Sequence, residues 1–219
     1  MQPVRIAFSK TGGIKFISHL DLNRTFRKII IRAALPLAYS EGFNPHPKIT
    51  FSSSLSLGVE SLREYVDVKL LIDGYGNIEE MERRIKAAAP AALNIGGVYA
   101  PQTAFSEIYA SKYEIYLDTE CGADGLSALF LSEFTVERTK NKKSRNPTVE
   151  TEDILPLISF ESAKQDANGY IVLTVTLPSN SSVYINPELI AGKISKLYRV
   201  DDYYFRKLSM HRENGEIFV

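Results

Sequence analysis

The stretch SHLDLNRTFRKIIIRAALP, residues 18–36, has the pattern of an amphipathic helix close to the start of the chain. Ser18 can cap this helix, and Asp21 stands three residues later, where a carboxylate stabilises a helix start. At about 100° per residue, one apolar stripe is formed by Leu22, Phe26, Ile29 and Ala33. The stretch therefore predicts a helix with one face against a core and the other in water.

The flanking segments predict the rest of a small sheet. VRIAFS reads as a strand, KTGG as a turn and IKFIS as a short extended piece. Downstream come strands KITFSSSLSL and EYVDVKLLI, helix NIEEMERRIKAAAP capped near Asn77, and strand LNIGGVYA. The order β-α-β-β-α-β predicts a ferredoxin-like domain over residues 1–102, an antiparallel sheet with both helices on one face.

The second half predicts a degenerate copy of the same scheme over residues 103–219. Strand KYEIYLD is followed by a helix around 126–132, strands FTVERT and GYIVLTVTLP, helix NPELIAGKISKLY and strand YYFRKLSMH, with TEDILPLIS as an added segment. The predicted class is α+β, built from tandem ferredoxin-like domains.

Charge is distributed unevenly along a neutral chain. The whole sequence balances 26 Lys and Arg against 26 Asp and Glu, but residues 1–50 hold eight basic residues against two acidic ones. The eight are Arg5, Lys10, Lys15, Arg24, Arg27, Lys28, Arg32 and Lys48. A field that attracts anions must therefore be local, in the first part of the chain.

The predicted helix carries four of these cations on the face opposite the apolar stripe, namely Arg24, Arg27, Lys28 and Arg32. Surface helices ordinarily mix acids and bases, because oppositely charged pairs one turn apart stabilise them. A row of cations without acids after Asp21 favours an anion-binding face, most simply for a phosphodiester backbone. The alternative is an ordinary solvated face.

The segment YSEGFNPHPK, residues 39–48, predicts a stiff recognition loop. Its two prolines remove backbone donors and favour extended neighbours, which excludes a central strand. The side chains available for stacking, hydrogen bonding and phosphate contact are Tyr39, Phe43, Asn44, His46 and Lys48. The alternative is a structural loop in which Phe43 fills a gap in the core.

A second basic segment, ERTKNKKSRNP, predicts a hairpin tip or loop that could add phosphate contacts to the same ligand. Its candidate phosphate contacts are Lys140, Lys142, Lys143 and Arg145. Two basic patches favour nucleic acid over a chance solvated loop.

The sequence gives less support to a catalytic or metal-binding role than to anion binding. His19 and His46 are candidates for the acid and base of a metal-independent ribonuclease if they meet in space. His19, Asp21 and His46 do not have metal-ligand spacing, and the single cysteine, Cys121, excludes a cysteine-ligated zinc or iron–sulfur site. No cofactor is expected. The absence of a signal peptide or a long apolar run predicts a cytoplasmic protein with no membrane partner.

The first 65 residues closely resemble the bacterial radical-SAM-linked family, a domain of unknown function. The resemblance rests on Ser18–Asp21, the cationic helix, the run Tyr39–Lys48 and the Leu57–Ser61 turn. It implies a stand-alone partner of a radical S-adenosylmethionine (SAM) enzyme, in a genomic setting that points to RNA. With no CxxxCxxC motif, the chain itself cannot hold the radical cluster.

These observations lead to one main expectation and two alternatives. The main expectation is a non-catalytic, RNA-binding accessory protein that helps a radical SAM enzyme modify or mature tRNA or rRNA. One alternative is a metal-independent endoribonuclease that uses His19 and His46. The other is a protein-interaction module whose basic face docks on the radical SAM partner without RNA.

Overall fold

The first hundred residues of the computed structural model, which describes residues 1–140 and 148–219, follow the predicted order of elements. They form β1 (Gln2–Lys10), α1 (His19–Arg32), β2 (Ile49–Phe51), β3 (Glu60–Leu70), α2 (Ile78–Ala88) and β4 (Ile95–Tyr99). The predicted extended piece IKFIS is wrong, because Gly12–Phe16 forms a 3₁₀ helix. Gly12 has a φ of +58°, which glycine adopts readily and which turns the chain tightly after β1.

Both helices begin at the predicted caps. The Ser18 hydroxyl accepts a hydrogen bond from the Asp21 amide at 3.0 Å. The Asn77 side-chain oxygen accepts one from the Glu80 amide at 2.9 Å. Each cap satisfies a backbone donor that the first helical turn leaves without a partner.

The strands pair antiparallel, with β1 between β4 and β3, and β2 on the other edge of β3. Alternate β1 side chains, Val4, Ile6 and Phe8, are buried in a core shared with α1 and α2. The Phe26 ring lies 4.8 Å from the Phe8 ring, centroid to centroid. All four residues of the predicted apolar stripe are buried, so the predicted core face of α1 is confirmed.

The opposite face of β1 carries a buried arginine. Arg5 is fully buried and makes two parallel hydrogen bonds to the Asp67 carboxylate, at 2.8 and 2.9 Å. It also donates to the Thr103 carbonyl at 2.8 Å and to a Val219 oxygen at 3.1 Å. This arrangement satisfies a charge that would otherwise be costly to bury.

The chain divides into two compact units that do not follow a single cut in the sequence. The first unit comprises Met1–Glu107 together with Lys207–Ser209 and Ile217–Val219. The second comprises Ile108–Arg206 and Met210–Glu216.

The described part of the second unit contains a sheet with strands in the order β10-β5-β9-β8, in which Lys207–Ser209 of β10 belong to the first unit, and two helices. Its elements are β5 (Ala110–Thr119), α3 (Ala123–Ala128), β6 (Thr135–Lys140), β7 (Thr148–Asp153), β8 (Ser159–Gln165), β9 (Ile171–Pro178), α4 (Glu188–Leu197) and β10 (Val200–His211). β6 and β7 form a separate two-stranded sheet.

One strand of the second unit was misplaced by the sequence pattern. FTVERT is strand β6, but it pairs with β7 and not with β9. The strand beside β9 is β8, whose sequence SFESAKQ was not predicted as a strand. β8 is short of apolar and β-branched residues, and none of its residues is fully buried, so the pattern that reveals a strand is missing.

The predicted α+β class is confirmed, since the described residues form four α-helices and a mostly antiparallel sheet. Among residues 1–140 and 148–219, no helix is long and apolar enough to cross a bilayer. The same residues contain no group of three or more His, Cys, Asp or Glu side chains arranged to hold a metal ion.

Candidate functional site

The exposed face of α1 carries the predicted cations. Arg24, Arg27, Lys28 and Arg32 are all exposed, and the apolar stripe lies on the buried side of the same helix. The segregation follows from helical spacing, because residues four apart share a face and the stripe occupies the other. The helix thus presents its cations to solvent over about two turns.

Only the first of these cations has an acidic neighbour. Arg24 forms an ion pair with Asp21 at 3.2 Å, and hydrogen bonds from Ser18 and Arg24 lower the pKa of that carboxyl. No carboxylate among the described residues forms an ion pair with Arg27, Lys28 or Arg32. The part of the face that can meet an external anion therefore begins after Arg24.

The charge balance of residues 1–50 overstates the positive charge that is exposed at the protein surface. Arg5 is fully buried against Asp67, and Lys10 is also buried. Lys15 lies 3.4 Å from Glu60 in a partly buried pair. The electropositive surface of this segment therefore reduces to α1 and the loop that follows it.

The Pro-His-Pro loop is closed at its neck by hydrogen bonds. The Ser40 amide donates to the His46 carbonyl at 2.8 Å, and the His46 amide donates to the Ser40 hydroxyl at 2.9 Å. The Lys48 amide donates to the Ala38 carbonyl at 2.9 Å. These hydrogen bonds hold the two sides of the neck together, and Pro45 and Pro47 fix φ on one side of it.

The loop is joined to the basic face through Arg27 and Tyr39. The guanidinium carbon of Arg27 lies 5.8 Å from the centroid of the Tyr39 ring, within the range of a cation–π contact. Tyr39 also bridges to Pro47 across the neck. The predicted aromatic and the predicted phosphate contacts therefore belong to one continuous surface.

Phe43 stands at the tip of the loop with its side chain fully in water, at 113% relative exposure. The hypothesis that Phe43 fills a gap in the core is therefore wrong. Gly42 precedes it with a φ of +121°, a conformation that L side chains rarely adopt, and this glycine directs the chain outward at the tip. Asn44 and His46 are also exposed, and Lys48 is half-buried with its ammonium 3.8 Å from the Met1 sulfur.

The structure does not bring the two candidate catalytic histidines together in any described contact. His19 is at the start of α1, where its ring lies 5.0 Å from the Phe51 ring at the far end of β2. His46 is bound at the loop neck, before β2 begins. Four residues lie between His46 and Phe51 along the chain, and they include a tight turn in which the Ile49 amide donates to the Pro47 carbonyl at 2.9 Å.

The second basic segment lies mostly outside the described residues. Lys142, Lys143 and Arg145 fall in the gap between residues 140 and 148, and the side chain of Lys140 is likewise not described. Their predicted role in binding stays a prediction.

Two arginines that sequence reasoning missed lie beside the basic face. Arg83 and Arg84 of α2 line a groove of about 610 Å³ together with Arg32 of α1. The sequence pattern predicts NIEEMERRIKAAAP only as a helix and gives its arginines no role. A signal was present in the sequence, since Arg84 precedes the buried Ile85 and so falls at the border of the core face.

A second missed group is a buried ionic cluster of Lys10, Glu64 and Lys207. Lys207 forms an ion pair with Glu64 and donates to the Ser53 hydroxyl at 2.9 Å, and Ser53 donates to Glu64 at 3.0 Å. Burial lowers the pKa of Lys10, and the nearby charge of Lys207 lowers it further, while Glu64 opposes the shift. Two buried lysines thus share one carboxylate.

Comparison with known protein families completes the description of the chain. The model of a family described as an uncharacterized protein conserved in bacteria matches residues 4–187, which include α1 and the whole Pro-His-Pro loop. No curated protein matches the chain. Since the match extends over most of the 219 residues, the chain belongs to this conserved bacterial family, DUF2344.

Proposed function

We propose that this protein binds RNA without cleaving it, as an accessory to a radical SAM enzyme that modifies or matures tRNA or rRNA. The observation that carries the proposal is the basic face of α1 joined, through the contact of Arg27 with Tyr39, to a braced loop with Phe43 at its exposed tip. These are the two components of a surface for single-stranded nucleic acid.

The cations supply the affinity in this proposal. Arg27, Lys28 and Arg32 project into solvent from one helix face, where phosphates can replace their counterions. Arg24, Lys28 and Arg32 are each four residues apart, about 6 Å, so they lie along a line on the helix, with Arg27 to one side of it. An extended phosphodiester backbone can follow such a line.

The loop supplies a stacking surface. A single exposed apolar side chain is common in proteins and alone means little. Phe43 differs because the hydrogen-bonded neck holds the loop that presents it, so a base can stack on the ring at a small cost in loop entropy. Stacking on one exposed ring requires an unpaired base, which favours a single-stranded segment.

The proposal includes a radical SAM partner because the first 65 residues resemble the radical-SAM-linked family. The sequence contains one cysteine, Cys121, which cannot by itself hold an iron–sulfur cluster. In the proposal, therefore, the partner carries the cluster and the chemistry, and this chain positions the RNA.

We also infer that both units are ferredoxin-like, as the element order predicted. The first unit has strands in the order β4-β1-β3 with β2 on the far edge of β3, and the second has the order β10-β5-β9-β8. With β6 and β7 treated as an insertion, the two orders correspond strand by strand. This correspondence supports a tandem architecture.

The experiment that tests the function is RNA binding by the purified protein as salt is varied. Affinity for total bacterial RNA is expected to fall steeply between about 50 and 200 mM salt, because several phosphate contacts release counterions. Crosslinking in cells, with sequencing of bound RNA and mass spectrometry of bound protein, then identifies the ligands. If crosslinking recovers a radical SAM protein but no RNA, and the purified protein does not bind RNA, the proposal is wrong. The protein would then be a protein-interaction module.

A further inference from the structure

A groove of about 610 Å³ lies where α1 and α2 end, lined by Arg32, Arg83 and Arg84. The rest of its lining is five alanines and Pro90. No carboxylate of a described residue lines it. Small apolar side chains between guanidinium groups leave room for a ligand to approach the charges closely.

The three arginines differ in the hydrogen-bond and ion-pair partners of their guanidinium groups. Arg83 makes two hydrogen bonds to the Glu80 carboxylate, at 2.8 and 2.7 Å, which largely neutralises it. Arg84 donates to the Ala34 carbonyl at 2.9 Å, a neutral partner that fixes the guanidinium and leaves its other N–H donors available. Arg32 has no ion-pair partner among the described residues. Glu80, whose pKa is lowered mainly by its hydrogen bonds with Arg83, also interacts electrostatically with Arg84, so the charge of Arg84 is partly compensated and that of Arg32 is not.

The helix ends account for part of the positive charge. Arg84 donates to the carbonyl of Ala34, just past the end of α1, and Arg32 lies in the last turn of that helix, where a cation is favourable. The amides of Ala33, Ala34 and Leu35 also donate to the last carbonyls of α1. Since Arg84 uses one donor for this contact, further N–H donors on both guanidinium groups can still meet an external anion.

We propose that this groove binds a phosphate group of the same RNA whose backbone crosses the basic face of α1. Arg32 belongs to both surfaces, so the face and the groove are continuous. Guanidinium groups suit this role, because their fork of donors can bind a phosphate with two parallel hydrogen bonds. The inference rests on the proposed RNA binding and adds α2 to the interface.

Ala87 offers a direct test, because it is exposed, lines the groove and stands in a helix where both Glu and Gln are well tolerated. The Ala87→Glu variant places a carboxylate among the arginines and should weaken binding of a labelled single-stranded oligouridylate about tenfold or more. Ala87→Gln adds the same bulk without charge and should bind within about twofold of the wild type.

A second pair of variants measures the phosphate contact itself. The slope of log affinity against log salt reports the number of phosphate contacts. Arg84→Gln should reduce that slope by the amount that one phosphate contact contributes. Lys86→Gln, on the same helix but outside the groove lining, should not change it. Thermal melting of each variant checks the fold.

The outcomes separate this inference from the function on which it rests. If the wild type binds neither the oligouridylate nor total bacterial RNA, RNA binding itself is refuted. If the wild type binds and Arg27→Gln with Lys28→Gln weakens it, yet Ala87→Glu and Arg84→Gln match the wild type, the groove is refuted and the basic face stands. Reduced binding by Ala87→Glu and Ala87→Gln alike would also overturn it, since bulk and not charge would be responsible.

Discussion

Arg27 on α1 and Tyr39 at the neck of the Pro-His-Pro loop lie against each other, with the guanidinium carbon 5.8 Å from the ring centroid. The contact connects a helix that carries exposed cations to a loop that carries an exposed aromatic ring. It holds the Arg27 charge at the surface without neutralising it, because the partner is a π face and not a carboxylate. An anion at this surface meets both elements at once.

Neutralising the middle of the basic face tests its role in binding. Arg27→Gln with Lys28→Gln should reduce RNA affinity. It should also reduce the slope of log affinity against log salt by the amount that about two phosphate contacts contribute. The free energy of unfolding should change by less than about 1 kcal/mol, because both side chains are exposed and the apolar stripe is untouched.

The matched control for that variant removes the same net charge elsewhere. Lys86→Gln with Arg199→Gln neutralises two cations that belong to neither α1 nor the loop. Binding of RNA by the control should stay close to that of the wild type. Equal losses in both variants would mean that RNA responds to net charge alone and not to this face.

Phe43→Ala should weaken binding of single-stranded RNA by about 1–3 kcal/mol, the usual contribution of stacking one base on an aromatic side chain. Phe43→Trp should keep or improve the affinity. Neither change should lower the melting temperature measurably, because the ring has no core contacts to lose. Leu131→Ala, which truncates another exposed apolar residue, serves as the control.

The pattern of α1 could be predicted from the sequence because local rules decide it. Its cap depends on Ser18, and its buried stripe on residues one turn apart, so both follow from spacing alone. Strand β8 could not be predicted, because its place in the sheet is set by pairing with β9 and its own residues carry little apolar pattern.

The candidate site shows the same division between local and long-range information. The exposed cations and the stiff loop follow from helical spacing and proline chemistry. The burial of Arg5 against Asp67 joins residues 62 positions apart, and the groove joins Arg32 to Arg84 across two helices. Such pairings depend on tertiary packing, so a count of charges along the chain cannot distinguish a surface cation from a buried one.

Lys10 gives a prediction about stability and pH. Since burial lowers the pKa of Lys10 below the ordinary 10.5, the folded protein releases this proton at a lower pH than the unfolded chain does. Between those two values the unfolded chain binds more protons, so stability rises with pH. At pH values below both pKa values, keeping the proton on the buried amine therefore destabilises the fold.

Lys10→Met should remove that cost and leave Lys207 paired with Glu64. The variant should be more stable than the wild type near pH 7, and the difference should shrink as pH approaches about 10. Urea unfolding of both proteins across this range measures it. Tyr99, whose pKa is raised to about 12 by burial, is present in both proteins and so affects both curves alike. A difference independent of pH would contradict the assignment.

His46 distinguishes recognition from catalysis. It is exposed at the loop neck, its amide is tied to Ser40, and no described contact brings His19 to it. A histidine in that position can stack on or hydrogen-bond to a nucleotide, but general acid–base cleavage needs a second group within hydrogen-bond reach of the same phosphate. We therefore expect His46→Ala to weaken RNA binding by about 1–3 kcal/mol and the wild type to leave RNA intact.

The measurement combines binding with a cleavage assay on labelled RNA, in chelator and across pH. Recognition predicts intact RNA at every pH and a reduced affinity for His46→Ala, with His19→Ala close to the wild type because the His19 ring packs on Phe51. Catalysis by the pair predicts chelator-resistant cleavage with a bell-shaped pH profile, lost in either variant while binding persists. Cleavage of that kind would establish the ribonuclease and would require the loop to bring His46 to His19 when RNA binds.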